Sequence, residues 1–257
     1  MITTGVSWAD GPLLSFDLES TGLDPATDRI VAASLVSILP QQAPQVRTWL
    51  ADPGVQIPAE ATAIHGISTE HARAHGQNIA EAVAEIVGEL GRSWSSTTPL
   101  CVFNASFDLS LLAAELRRHH GQDLVVAGPV VDPMCLDRHL DRYRKGKRTL
   151  GALCAHYRVR LEKAHTSTDD ALAAARLAWR LAKSYPDKVG GVALAELHQR
   201  QIGWHREHTR GFADYLDRLA ARTADPVEAG ELRARASVER AAAGQWPLRA
   251  VVQPVEV

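Results

Sequence analysis

Short apolar runs alternate with amphipathic stretches along this chain, and their order predicts an architecture. Residues 13–19 alternate about an apolar run and read as a strand, followed by turn residues at 22–25. Residues 29–39, β-branched and alanine-rich, predict a second strand, and residues 46–50 a shorter third that stops at Asp52-Pro53-Gly54. Ile79, Val83, Ile86, Val87 and Leu90 recur at helical spacing and predict a helix over 79–90. Residues 100–103 read as a buried strand, 107–116 as a helix, 124–131 as a last strand and 167–182 as an alanine-rich helix. Strands alternating with helices after an initial antiparallel group predict an α/β fold, a sheet sandwiched between helices.

Beyond Tyr185-Pro186 the pattern changes. Leu194, Leu197, Trp204, Phe212, Tyr215 and Leu219 recur at helical spacing with His and Arg between them. The plain reading is an amphipathic helix packed on the parent domain, and the sharper one is a dimer or partner surface. A second helix is expected over 227–242, with a loose or docked tail from Pro247. The expected division is a domain of residues 10–184 and a helical C-terminal extension of residues 185–257, for which no motif suggests a role.

At 257 residues, 46% hydrophobic and 23% charged, the chain suits a soluble globular protein with one large domain, or one domain and an appendage. A net charge of −2 excludes a global basic field, although local basic patches remain open. Three cysteines without a C-x-x-C pair speak against a disulfide framework or a zinc ribbon and fit a reducing compartment. With no signal sequence and no bilayer-spanning run in view, the expected location is the cytoplasm, without membrane association.

Asp17 and Glu19 lie two apart in the first strand and so share a face, where two carboxylates repel unless a cation sits between them. Such pairs are also common on solvated strands, but this one interrupts an apolar segment, where unpaired charge is costly. Asp108 falls in the first turns of a helix that follows a strand, as a site residue or as a partner of the helix dipole. Ser167-Thr168-Asp169-Asp170 fits a capping box in which Ser167 caps and Asp170 reaches back. If Asp169 or the hydroxyls cap instead, Asp170 is turned inward with His165 just before it. His71 and His75 have zinc-ligand spacing without a third ligand. They are expected on the surface, as are His119, His120, His205 and His208.

The ordered set is more specific than its members. Four stretches carry it: Phe16-Asp17-Leu18-Glu19-Ser20-Thr21-Gly22-Leu23; Ile57-Pro58-Ala59-Glu60-Ala61 with Ile64-His65-Gly66-Ile67; Asn104-Ala105-Ser106-Phe107-Asp108; and Ala164-His165 through Asp170. From about residue 13 to 181 the chain resembles the DEDDh subgroup of DnaQ-like 3′–5′ exonucleases, which includes proofreading subunits of bacterial replicative polymerases. His165 stands five residues before Asp170, as the histidine type requires, and Thr166 occupies the place of the tyrosine of the sister type. Ser20 departs from the family's usual Thr but keeps a hydroxyl.

The resemblance implies a ribonuclease H-like mixed sheet flanked by helices and a metal-dependent 3′–5′ exonuclease that releases nucleoside 5′-monophosphates. Asp17, Glu19, Asp170 and Asp108 would hold two divalent ions, Mg²⁺ or Mn²⁺, and His165 would accept the proton of the attacking water. Thr21, Leu23, Ile64, His65 and Asn104 would meet the terminal nucleotides. The basic run Arg138, Arg142, Arg144, Lys145, Lys147 and Arg148, above all Arg144, Lys145 and Lys147, would track a single strand, where the plain reading is a solvated loop. Expected partners are single-stranded 3′ ends, DNA ahead of RNA, and a DNA polymerase subunit; oligomeric state is left open. The alternatives are an exoribonuclease of the RNase T or oligoribonuclease type, and a polymerase-associated binding module that has lost activity. All five catalytic positions are present, which speaks against the last.

Overall fold

The computed structural model describes residues 7–249 except Lys163. Its core is a six-stranded mixed sheet in the order β4-β3-β2-β1-β5-β6. The strands are β1 (Leu13–Ser20), β2 (Ile30–Ile38), β3 (Gln45–Asp52), β4 (Gln77–Asn78), β5 (Leu100–Cys101) and β6 (Val130–Val131). β2 runs antiparallel to both neighbours, whereas β5 and β6 continue parallel to β1. Helices α1 (Ala59–His65) and α2 (Thr69–His75) precede α3 (Ile79–Ser93), α4 (Ala105–His120), α5 (Pro133–Leu140), α6 (Leu150–Tyr157) and α7 (Ser167–Ser184). The extension forms α8 (Leu194–Ala220) and α9 (Pro226–Ala242).

The alternation in β1 sorts its side chains into two layers. Leu14, Phe16 and Leu18 face α3 and α4 and join a core with Ile86, Leu109 and Leu112. Phe16 is fully buried, a side-chain transfer that stabilises by roughly 2–3 kcal/mol. Leu13 packs on the other side with Leu177 and Leu181 of α7, and Ser15 of that face donates to the Ala171 carbonyl at 2.7 Å. Asp17 and Glu19 continue this second face. α7 turns Ala171, Ala174, Ala175, Ala178 and Ala182 into the interior, and methyl-sized side chains let a helix lie close to a sheet. Ser34 on β2 fastens the start of α7 through the hydroxyls of Ser167 and Thr168 at 2.7 and 2.8 Å.

Two expected strands are shorter than the pattern suggested. Of residues 124–131 only Val130–Val131 pair, because Pro129 has no N–H to give a ladder and Gly128 is pressed against Ser95. A Cβ at Gly128 would lie 2.3 Å from the Ser95 carbonyl oxygen. Of residues 100–103 only Leu100–Cys101 form strand, since Asn104 takes a left-handed conformation (φ 60°) to turn the chain into α4. The short helices α1, α2, α5 and α6 were not part of the expected order.

The extension covers the β6 edge of the sheet. Gln201, wholly buried on α8, accepts from the Asp132 N–H and donates to the Val130 carbonyl, both at 2.8 Å. His198 accepts from the Val130 N–H at 3.1 Å. Two α8 side chains thus satisfy backbone groups that an edge strand would leave open. Past α9 the tail docks: Trp246 is buried in the main core with Leu248 beside it, and the Arg249 N–H donates to Ser110 Oγ at 2.8 Å. The remainder of the expected tail, from residue 250, lies outside the described residues. Among the described residues no helix is long and apolar enough to cross a membrane.

Candidate active site

The second face of β1 and the first turn of α7 meet at the carboxyl end of the central strand. There a ligand oxygen from each of Asp17, Glu19 and Asp170 lies within 4.8 Å of the other two. Local capping explains why Asp170 is available. Thr166, one residue before the helix, accepts from the Asp169 N–H at 3.3 Å and donates to the Asp169 carboxylate at 2.9 Å. The capping pair is therefore Thr166 with Asp169, which selects the second of the two capping readings and leaves Asp170 turned inward. His165 is exposed just outside α7 with φ 69°, and its backbone N–H donates to Asp170 Oδ2 at 3.2 Å.

Asp108 enters from the other layer. The Leu18 N–H points toward the β5 side of β1, but β5 has already ended at Cys101; Asp108 Oδ1 accepts that hydrogen at 3.0 Å instead. Asp108 is 5% exposed. It stands outside the tight trio, yet its charge acts on Asp17.

This concentration of carboxylates is electrostatically unfavourable by itself. Burial, then the charges of Asp108, Glu19 and Asp170, hold the Asp17 carboxyl well above its usual range. Burial and Asp170 push Glu19 up to about 7. Burial raises Asp108 to about 8 against the pull of the Leu18 N–H. Asp170 is also raised by burial, opposed by the N–H and imidazole of His165. Glu19 Oε1 and Asp170 Oδ1 are buried without a hydrogen-bond partner, and none of the four acids has a Lys or Arg partner among the described residues. Hard carboxylate oxygens, two of them orphaned, fit a divalent cation such as Mg²⁺ or Mn²⁺.

The rim is built by the β1–β2 turn and the α1–α2 region. Thr21 donates to Asp28 at 2.8 Å and accepts from the Arg29 N–H at 3.0 Å, and Asp28 also receives the Asp24 N–H. Gly22 leaves room for this carboxylate, since a Cβ there would fall 2.5 Å from it. Ser20 Oγ donates to the Gly22 carbonyl at 2.7 Å, so the hydroxyl of the departing residue braces the turn. Leu23 stands at its tip, 90% exposed. Ile64 is 56% exposed at the end of α1. His65 accepts from the Ile67 N–H through Nδ1 while its Nε2 is buried and unpartnered. Burial lowers its pKa, with the Ser20 backbone acting the other way.

The basic run is divided. Buried Asp137 receives Arg144 at 3.5 Å, Arg148 and the Tyr157 hydroxyl, while Lys145 and Lys147 stay exposed. Arg142 pairs with Glu207 of α8. His205 departs from its expected surface place: it is half-buried on α8, and burial, then Arg249 and Arg138, push its pKa down to about 4. His71 and His75 are exposed and stack on each other, 4.6 Å between rings. Two residues with positioning roles escaped the motif reading. One is Ser34. The other is Asp132, whose buried carboxylate accepts from the N–H groups of Asn104, Ala105, Met134 and Cys135 and so joins the heads of α4 and α5. The Asp132-Pro133 pair was its available signal, a cap followed by Pro at the first helical position.

A family model described as exonuclease, of the RNase T type, matches residues 14–178. Among curated proteins, the PolC-type DNA polymerase III of Streptococcus agalactiae is 27% identical over 188 residues, 73% of this chain and 12% of the relative. That of Oceanobacillus iheyensis is 28% identical over 173 residues, 67% of this chain and 12% of the relative. The chain thus spans 12% of the length of these relatives. Escherichia coli exonuclease I, solved in complex with a dT13 oligonucleotide, matches with a TM-score of 0.59 at 20% identity, over 68% of this chain and 42% of that one. Exonuclease I of Methylocaldum szegediense gives 0.55 at 21% identity, over 69% and 41%. At these identities the likeness is one of fold: a mixed sheet flanked by helices, as in the ribonuclease H-like exonucleases.

Proposed function

The chain belongs to the DnaQ-like 3′–5′ exonuclease family, and from that premise we propose that it removes nucleoside 5′-monophosphates one by one from the 3′ end of single-stranded DNA. The observation that carries the reading is the trio Asp17, Glu19 and Asp170, with its buried orphan oxygens at the end of the central strand. Asp17, Glu19 and Asp170, with Asp108 behind them, would hold two divalent ions, which when bound offset charge on the attacking and leaving oxygens at phosphorus. The exonuclease domain is taken as residues 10–184, with residues 185–257 as its helical extension.

The chain's own groups divide the remaining work. His165, exposed beside Asp170 and linked to it through its backbone, takes the proton of the attacking water in its neutral form. Thr166 and Asp169 hold that loop in register with α7. Leu23 and Ile64, apolar and exposed on the rim, offer contact surface to the terminal base and sugar, with His65 and the Thr21 backbone behind them. Lys145 and Lys147 are solvent-facing cations of the basic run outside its ion pairs and attract the strand, while Arg144 braces their loop on Asp137. Relatives named as DNA polymerases and a fold neighbour solved with a DNA oligonucleotide support DNA over RNA and a polymerase as partner.

The test is an equimolar pair of DNA and RNA oligonucleotides of one sequence, incubated with Mg²⁺ or Mn²⁺, with EDTA and with the Asp17→Asn variant. Metal-dependent shortening that the variant lacks, faster on DNA, is the expected result. Faster loss of RNA moves the assignment to an exoribonuclease. Binding without degradation of either moves it to a silent binding module.

A further inference from the structure

Over the head of α4 the extension closes a second recess. A cavity of about 260 Å³ lies between Asn104 and Ser106 at that head, Arg138 of α5, α8, α9 and Arg249 of the docked tail. Through Arg138 and Phe212 it continues into a neighbouring cavity of about 420 Å³, where Trp204 and Tyr143 contribute aromatic faces.

The chemistry is cationic and unbalanced. Arg138, Arg235 and Arg249 all line the first cavity, and among the described residues none of them forms an ion pair. The Nε groups of Arg138 and Arg249 are buried without a hydrogen-bond partner. Each orphaned donor has lost its water without a replacement until an acceptor arrives. Glu239 is the acid on the lining; nearby Asp132 is already filled by four backbone N–H groups. The excess positive charge also reaches His205, whose pKa Arg249 and Arg138 depress in addition to burial. Arg235 lies over the Phe212 ring at 5.3 Å, so guanidinium and aromatic faces alternate along the groove.

We infer that this cleft holds the backbone phosphates of a single strand, with Arg138, Arg235 and Arg249 as the cationic contacts and the exposed ring of Tyr143 as a face for a base. The assignment rests on the proposed nuclease function, because it places the strand upstream of the end that the trio receives. The two sites are near neighbours. Asn104 opens the helix that carries Asp108 one turn later, ~6 Å along the axis, and the charge of Asp132 acts on both Asp108 and Arg138. A groove that alternates cations with aromatic rings suits a single-stranded polyanion, whose every base has a stacking face. The extension then has a role: it supplies one wall of the strand's path.

The test is fluorescence anisotropy of a 5′-fluorescein thymidine 12-mer with the full chain in metal-free buffer, over a salt series. Arg235→Glu changes an exposed residue, and Arg249→Gln removes a half-buried cation. Arg233→Glu, exposed two positions away on α9, is the charge control. The expected result is about tenfold weaker binding in each cleft variant, with the salt slope reduced by about 0.7 per lost phosphate contact, and wild-type binding in the control. Wild-type binding by both cleft variants overturns the proposal, as does equal weakening in the control. Displacement of the 12-mer by thymidine monophosphate at the strand's own affinity also overturns it, making the cleft a free-nucleotide site. Shortening of DNA with Mg²⁺ is followed on the same preparations. A wild-type chain that never shortens DNA removes the nuclease reading, whereas active enzyme with unaltered binding in both variants removes only the cleft.

Discussion

Replacing Asp108 by Asn should stabilise the metal-free protein, although it removes a group proposed for catalysis. Asn keeps an oxygen for the Leu18 N–H that Asp108 now accepts at 3.0 Å, and it removes a carboxyl that burial raises from 3.8 to about 8. For an acid whose folded pKa is raised, the stabilising contribution is complete below the unfolded value and is lost as pH climbs to the folded one. The full displacement, at about 1.4 kcal/mol per pH unit, sets an upper bound of roughly 6 kcal/mol at pH 8. The Asp108 charge also raises Asp17, so the two carboxyls do not contribute independently, and about 2–3 kcal/mol is the expected gain. In a chain of this size that amounts to ~4–12 °C in Tm. Thermal melts of EDTA-treated wild type and Asp108→Asn at pH 5, 6, 7 and 8 check it. The difference at each pH isolates this carboxyl from the histidines that titrate in the same range. The variant's advantage should grow from pH 5 to pH 8, and Mn²⁺ should raise the wild-type midpoint more than the variant's at pH 8. A variant that is less stable than wild type by the same amount at every pH would refute the reasoning, since Asp108 would then be an ordinary hydrogen-bond acceptor.

Three further outcomes follow from the geometry. His165→Ala should lower kcat by about 10²–10⁴ while leaving the melting curve unchanged, because the side chain is exposed; wild-type turnover would remove it as the base. Thr166→Ala deletes the cap of α7 and should cost about 1 kcal/mol of stability. Its activity loss should exceed what the small drop in Tm explains, as measured by steady-state kinetics well below the melting range. Reversing Lys145 and Lys147 to Glu should weaken oligonucleotide binding and flatten its salt dependence by about 1.4 in log–log slope. An unchanged slope would return these residues to a solvated loop.

The sheet's centre was legible because β1 states two things at once. Over residues 14–19 its even positions are apolar and its odd positions carry Ser15, Asp17 and Glu19, so strand, face and candidate ligands follow from one alternation. α7 was legible from its alanines, but its cap was not: Thr166, Ser167 and Thr168 are all eligible hydroxyls, and tertiary bonds to Ser34 occupy the last two. The strand expected over 124–131 failed because Pro129 and the close approach of Gly128 to Ser95 outweigh a β-branched run. The placement of α8 depends on Gln201 and His198 reaching β6 about seventy residues earlier in the chain, pairings that periodicity does not report. His205 looked like a surface histidine for the same reason, since Arg138 and Arg249 reach it only through the fold.

The central claim is exonucleolytic cleavage that starts at the 3′ end, and the direct measurement is polarity. One single-stranded DNA oligonucleotide is labelled at its 5′ end in one sample and within its 3′-terminal nucleotide in another, and both are followed with Mg²⁺ under single turnover. The 3′ label should leave at once as a mononucleotide while the 5′ label descends a ladder in single-residue steps. Early release of the 5′ label as a mononucleotide, or internal fragments carrying either label, would contradict the claim.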